Sequence, residues 1–105
     1  LPEQVWISED DKNENFRLYS RVDILFILKD LKQSDSLVTL YFGQENSFIL
    51  TSILHIDSDN NEIIIDYGID ATTNQRVLSS NELFFVTRQN RIKIEFTCNQ
   101  IKKTQ

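Results

Sequence analysis

The chain contains no Met, one Cys, one His, one Pro and two Gly. Each shortage closes a class of structure or function. A single cysteine, Cys98, cannot form a disulfide framework within the chain or a multi-cysteine zinc site. A single histidine, His55, poorly supplies a histidine-rich metal site or a Cys-His-Asp apparatus. Gly43 and Gly68 alone cannot build a glycine loop that cradles a phosphate. Uncharged apolar runs span only a few residues, against the roughly 20 that a membrane-spanning helix needs. No basic start followed by an apolar stretch reads as a signal peptide. Positive charge is scarce too: 11 Lys and Arg face 16 Asp and Glu, for a net charge of −5 and a pI near 4.7. The one adjacent basic pair is Lys102-Lys103, so a nucleic-acid polymer is not an expected partner. Met is absent even at position 1, which raises the expectation of a piece of a longer protein whose neighbours carry part of the function.

What is present reads as one small β-rich domain. A length of 105 residues suits a single domain. Leu, Ile, Val and Phe number 36 of 105, well above the roughly 20% below which chains tend to stay disordered. Thirteen Ile, five Val and seven Thr stand against one Ala, a weighting that favours strands.

Residues 1–19 read as an acidic, irregular N-terminal arm. Glu3, Glu9, Asp10, Asp11 and Glu14 face only Lys12 and Arg17. Val5, Trp6 and Ile7 form an apolar knot inside it. The plain reading is a flexible arm; the sharper one is that Trp6 anchors the arm in a groove of the body or of a partner. A helix begins next. Ser20 stands three residues before Asp23, the spacing of a capping box, and Tyr19 and Ile24 hold the positions of a hydrophobic staple. Ile24, Ile27, Leu28 and Leu31 then recur at helical steps and form one stripe. Val22 and Phe26, four apart, lie off that stripe on a second, smaller apolar face. The turn-like run Gln33-Ser34-Asp35-Ser36 ends the helix near residues 32–34.

Strands fill the rest. Alternation is expected over residues 37–42, with Val38, Leu40 and Phe42 on one side. It returns over 47–56, with Phe48, Leu50, Leu54 and Ile56 together and a break at Ser52. Further strands are expected over 62–67, 82–88 and 91–98, with hairpin turns at Ser58-Asp59-Asn60-Asn61 and at Gln89-Asn90. Residues 68–80 lack alternation, and Asp70-Ala71-Thr72-Thr73 suits the start of a short helical turn reaching Leu78. Residues 99–105 form a polar tail. The fold class is therefore mainly β: a small antiparallel split-barrel-like domain of about five or six strands with one leading α-helix.

No residue cluster has the specificity of a catalytic signature. Asp66-Tyr67-Gly68-Ile69-Asp70 is a ligand loop in one reading and a strand exit with a turn in the other. Ser58-Asp59-Asn60-Asn61-Glu62 resembles the start of a calcium loop but lacks its glycine and distal glutamate. His55 lacks a Cys or acid at a telling spacing and reads as a solvent-facing strand residue. Cys98 reads as a small buried hydrophobe. Arg88 and Arg91 flank a turn and would suit a phosphate grip, joined by Arg76 if its loop folds back; the plain reading is solvated turn residues. The expectation is a non-enzymatic binding or interaction module.

The order of segments resembles a known family. Ile24-Leu25-Phe26-Ile27-Leu28-Lys29-Asp30-Leu31 followed by Val38-Thr39-Leu40-Tyr41-Phe42-Gly43 is similar to the opening of the N-terminal domain of YcgR-type flagellar brake proteins. Ile63-Ile64-Ile65-Asp66-Tyr67-Gly68 resembles that family's strand ending in Asp-aromatic-Gly. Asn74-Gln75-Arg76 falls in its variable insert, and Arg91-Ile92-Lys93-Ile94-Glu95-Phe96 resembles its last strand. The resemblance covers about residues 20–100. It implies a YcgR-like β-barrel domain over 20–98 and, over 99–105, the start of a linker to a PilZ domain. That domain binds cyclic di-GMP through an Arg-x-x-x-Arg motif at its start and an Asp/Asn-x-Ser-x-x-Gly motif further on; the second does not occur here, and the spacing of the first occurs only at Arg17 and Arg21, at the start of the resemblance and not at the downstream junction. Arg88 and Arg91 are spaced differently and take no ligand role.

The resemblance implies a cytoplasmic regulatory domain at the bacterial flagellar basal body. Its partners would be the downstream PilZ domain, flagellar motor or switch proteins, and cyclic di-GMP at the domain junction. No cofactor is expected in this chain. Val22, Phe26 and Trp6 are the candidate interaction residues. The alternative is a split-barrel cofactor domain of flavin type, although no concentrated set of phosphate-gripping residues is present. An oligonucleotide-binding barrel would want basic strand faces with exposed aromatics, which the acidic pI disfavours.

Overall fold

The structure is a computed structural model that describes residues 1–9, 15–43, 47–66, 71–80 and 82–99. Along the chain lie β1 (Val5–Glu9), β2 (Asn15–Leu18), α1 (Arg21–Gln33), β3 (Val38–Phe42), β4 (Ser47–Thr51), β5 (Ile53–Asp57), β6 (Glu62–Ile65), α2 (Ala71–Leu78), β7 (Leu83–Gln89) and β8 (Ile92–Cys98). Six strands form an antiparallel sheet in the order β2-β1-β8-β7-β3-β4, and β5 and β6 form a separate hairpin. The fold is mainly β, as the composition implies. Among the described residues the six strands do not close into a barrel, because β2 and β4 form the two ends of the sheet.

The largest departure from the sequence reading lies in residues 1–19. They are not an irregular arm throughout: β1 and β2 pair with each other, and β1 also pairs with β8. The apolar knot is a strand with side chains on two faces. Val5 is fully buried in the core, while Trp6 points to the other face beside Glu95. The helix is therefore preceded by two strands instead of leading the domain.

One face of the sheet, α1 and the β5–β6 hairpin enclose the core. Val5, Val38, Leu40, Phe42, Leu83, Phe85, Ile94 and Phe96 come from the sheet; Ile24, Leu28 and Leu31 come from α1, Ile53 from β5 and Val77 from α2. Phe85 and Phe96 are register partners whose rings stack at 4.8 Å. Burying each such side chain contributes roughly 1.5–3 kcal/mol. The helix stripe behaves as its spacing predicts, with Ile27 partly buried beside it. Ser20 is the N-cap and its carbonyl accepts the Ile24 N–H at 2.9 Å, but its side chain makes no cap hydrogen bond. At the other end the Ser34 hydroxyl donates to the Asp30 carbonyl at 2.7 Å, which satisfies a carbonyl of the last turn.

The expected strand over 47–56 is two strands in two sheets. Val38 pairs with Thr51 and Leu40 with Ile49, so Ile49 and Thr51 face the core and Phe48 and Leu50 face outward. At Ser52 the chain leaves the large sheet, and the Asp66 N–H donates to the Ser52 carbonyl at 3.0 Å. The buried Thr51 hydroxyl donates to the Asp66 carbonyl at 2.5 Å. The β7–β8 turn falls one residue later than expected. Gln89 pairs with Ile92, and Asn90 and Arg91 have φ of 53° and 69°, the geometry of a type I′ hairpin.

Candidate functional site

Strand register builds the outer face of the six-stranded sheet row by row, because paired residues share a face. One row runs Asn15, Ser8, Lys93, Arg88. The next runs Arg17, Trp6, Glu95, Val86, Thr39, Leu50. The third runs Thr97, Phe84, Tyr41, Phe48. Phe48 and Leu50 are 57% and 59% exposed, whereas the solvated face of an antiparallel sheet is ordinarily polar. Tyr41 bridges two neighbours, with ring centroids 5.9 Å from Phe48 and 6.2 Å from Phe84. Apolar side chains thus concentrate on β7, β3 and β4. A cleft of about 220 Å³ lies on the β1–β2 side, lined by Trp6, Ser8, Asn15, Phe84 and Glu95. Lys93 pairs with Glu95 at 3.2 Å.

Val22 and Phe26 lie on the far side of the molecule. Both are about three-quarters exposed, at 75% and 74%, while Ile24 and Leu28 on the opposite side of α1 are buried. The core separates this helix face from the sheet face that carries Trp6. The fold therefore divides the candidate residues between two surfaces. Trp6 is seated under the Arg17 guanidinium, 3.8 Å from its ring centroid, and Arg17 also donates to the Tyr19 hydroxyl at 2.6 Å.

The other residues singled out by sequence stay apart. His55 is exposed on β5 opposite Ile64. Cys98 is partly buried against the core, and burial pushes its thiol above the ordinary cysteine value. Arg88 and Arg91 stand at the turn end of β7. Arg76 stands at the other end, donating to the Ser47 hydroxyl at 2.8 Å with its guanidinium over the Phe42 ring. Three arginines do not converge. The Ser58–Asn61 turn is organised by Asp57, whose carboxylate accepts from the Asn60 backbone N–H at 3.2 Å and from its side-chain amide at 2.8 Å. These bonds hold the Asp57 carboxyl below the usual aspartate range, with a smaller contribution from His55. Arg21, in the first turn of α1, donates to the Asn61 side-chain carbonyl at 2.9 Å and to the Ser58 carbonyl, which ties the turn to the helix. Of the ligand-loop reading, residues 67–70 lie outside the described residues; Asp66 is exposed. Among the described residues no three His, Cys, Asp or Glu side chains come together as a metal site, and no helix is long and apolar enough to cross a membrane.

Sequence reasoning missed the Tyr41, Phe48, Leu50, Phe84 and Val86 patch. The signal was present: β3, β4 and β7 carry large apolar side chains at both alternating sets of positions. Such strands are covered on both faces in most folds.

Comparison with known proteins agrees with the segment order. The family model of the flagellar regulator YcgR, PilZN domain, matches residues 16–105. The flagellar brake protein YcgR of Nitrosospira multiformis is 36% identical over 95 residues, covering 90% of this chain and 37% of the relative. That of Nitrosomonas eutropha is 36% identical over 99 residues, covering 93% and 37%. That of Yersinia pseudotuberculosis is 30% identical over 99 residues, covering 94% and 38%. The chain thus spans a little over a third of the length of these relatives. No solved structure matches it. On the strength of the family model and these relatives, the chain belongs to the PilZN domain family of the flagellar regulator YcgR.

Proposed function

We propose that the chain is a non-catalytic regulatory domain of a flagellar brake protein that slows swimming in response to cyclic di-GMP. In this reading it packs against a downstream PilZ domain and contacts flagellar motor or switch proteins at the basal body, in the cytoplasm. The observation that carries the reading is the family match over residues 16–105, together with relatives named flagellar brake proteins. Two apolar surfaces on opposite sides of the core support it, since one domain that bridges two partners needs two faces.

The chain itself holds no cofactor in this reading. Cyclic di-GMP carries two phosphates, and its retention needs several charge-assisted contacts worth roughly 1.5–3 kcal/mol each. The Asp/Asn-x-Ser-x-x-Gly motif is absent from the 105 residues, the one Arg-x-x-x-Arg spacing is Arg17 with Arg21, whose guanidinium groups engage Trp6 and the Ser58–Asn61 turn, and Arg76 stands away from Arg88 and Arg91. The downstream domain supplies the nucleotide site, and this domain responds at the junction.

Swimming speed tests the proposal. Cells that make the full-length protein should slow when cyclic di-GMP rises, and deletion of residues 1–99 should abolish slowing while nucleotide binding by the remainder persists. Unchanged braking after the deletion would remove the regulatory role from this domain. Micromolar binding of cyclic di-GMP by the isolated chain in calorimetry would contradict the placement of the site downstream.

A further inference from the structure

We infer that the β5–β6 hairpin is a hinged arm that opens as one unit about Ser52 and Asp66, with the Arg21 guanidinium as its latch. The inference goes beyond the proposed regulatory role and does not depend on it. Among the described residues β5 and β6 pair with each other alone, in a sheet of their own. A lone two-stranded hairpin is marginal in water, so this one is held by contacts at its two ends and along one side. On that side β5 runs against α1, and Ile56, Ile63 and Ile65 are partly buried against the core.

The base of the arm is fixed. Thr51 is buried and bonded through its hydroxyl to the Asp66 carbonyl, and the Asp66 N–H is bonded to the Ser52 carbonyl. Ile53, the first residue of the arm, is buried in the core. Just beyond it the ladder is interrupted: the register shifts between Ile53 and His55 and passes over Leu54, which is exposed. A bulge bends its strand and breaks the pairing locally, so the pliant point lies directly beside the anchored one. Burial then declines along the arm, from Ile53 through half-buried Ile56 and Ile63 to the exposed turn at residues 58–61.

The tip is held from the far end. Asp57 shapes the turn through its two bonds from Asn60, and Asn61 takes a left-handed conformation at φ 57°. The turn so built offers the Ser58 carbonyl and the Asn61 side-chain carbonyl to one guanidinium, and Arg21 donates to both. Such bonds are charge-assisted, and the planar fork of arginine suits two acceptors at once. The Leu1 ammonium adds a bond to the Asn61 backbone carbonyl at 2.5 Å. These contacts stand at the opposite end of the arm from the hinge, where a small restraint resists rotation most. Arg21 and the turn are exposed, so water competes for the bonds and the latch has modest strength. Units that open ahead of the rest of a domain have few fully buried apolar side chains and many exposed hydrogen bonds. The arm has both, and its opening bares Ile56 and Ile63.

Hydrogen exchange of the full-length protein tests the inference, with peptides covering residues 53–65 and 83–98 followed by mass spectrometry. The β5 and β6 amides should exchange together, and about tenfold or more faster than those of β7 and β8. R21A should speed β5 and β6 by about a further tenfold and leave β7 and β8 unchanged. R21K keeps the charge but loses the fork, and should fall between the two. Circular dichroism and Trp6 emission should be the same in all three proteins. Exchange of the arm at the β7–β8 rate would overturn the inference, because the arm would then open only with the whole domain. Acceleration by R21A confined to residues 58–61 would overturn it in favour of a fraying turn. Equal acceleration of both peptides, or none in either, would overturn the role of Arg21 as the latch.

Discussion

Arg17 and Trp6 are cross-strand partners, and the guanidinium carbon lies 3.8 Å from the centre of the indole ring. The contact lies on the outer face of the hairpin that joins residues 1–19 to the sheet. An exposed cation–π pair contributes roughly 0.5–1 kcal/mol, so R17A should lower stability by about that amount. Trp6 is the chain's single tryptophan, and its fluorescence reports the hairpin directly. Tryptophan emission and circular dichroism should follow one urea transition. Emission already like that of the denatured chain in native buffer would mean that the hairpin is detached.

Leu28 and Phe26 give opposite expectations two residues apart. Leu28 is fully buried, and L28A should cost about 2–5 kcal/mol through lost contacts and a cavity. Phe26 is 74% exposed, and F26D should leave the melting temperature of the domain nearly unchanged. In the full-length protein the same substitution should weaken domain association if the helix face is a contact. A large drop in the melting temperature of the F26D domain would place Phe26 inside the core instead.

Arg91 occupies a left-handed backbone conformation at φ 69°, beside Asn90 at 53°. Asn-Gly is the preferred pair for a type I′ turn, and a residue with a Cβ is strained at the second position. R91G should therefore raise stability by roughly 0.5–1 kcal/mol in chemical denaturation. A lower denaturation midpoint would show that the Arg91 side chain contributes more than its backbone costs.

Asp57 links stability to acid. Its two bonds from Asn60 depress the carboxyl in the folded state relative to the unfolded chain. That contribution is fully present above the ordinary aspartate value and is lost as pH falls through the depressed one. Thermal melts taken from neutral to strongly acidic pH should show D57N with a shallower loss than the parent over that window. Identical slopes would exclude Asp57 from the acid response.

The helix was legible because its apolar residues recur at one period and face one layer: Ile24, Leu28 and Leu31 all enter the core. Strands with one apolar face were legible for the same reason, as Val38, Leu40 and Phe42 show. The N-terminal hairpin was hidden because Val5, Trp6 and Ile7 fill both faces of β1 and erase the alternation. Its second strand, Asn15–Leu18, follows an acidic run whose composition alone suggests an arm. Phe48 and Leu50 misled in a different way. Grouping them with Leu54 and Ile56 assumed one continuous strand, but the chain changes sheets at Ser52 and the shared side is lost. Of the candidate site, the helix face could be read from Val22 and Phe26 alone. The sheet face is signalled only by apolar side chains at both alternating sets of positions in β3, β4 and β7, and it takes shape once those strands are placed side by side.

The pairing of β1 with β8 has a consequence for synthesis. Val5–Glu9 leave the ribosome more than eighty residues ahead of their neighbour Ile92–Cys98. Until then the hairpin can gain only the contacts between β1 and β2, and a lone two-stranded hairpin is marginal in water. The nascent chain therefore carries an open strand edge on β1, and later another on β7, that only the arrival of β8 can cover. Completion of this domain is a late, non-local event. The β1 edge is open to mispairing for as long as elongation takes to reach β8.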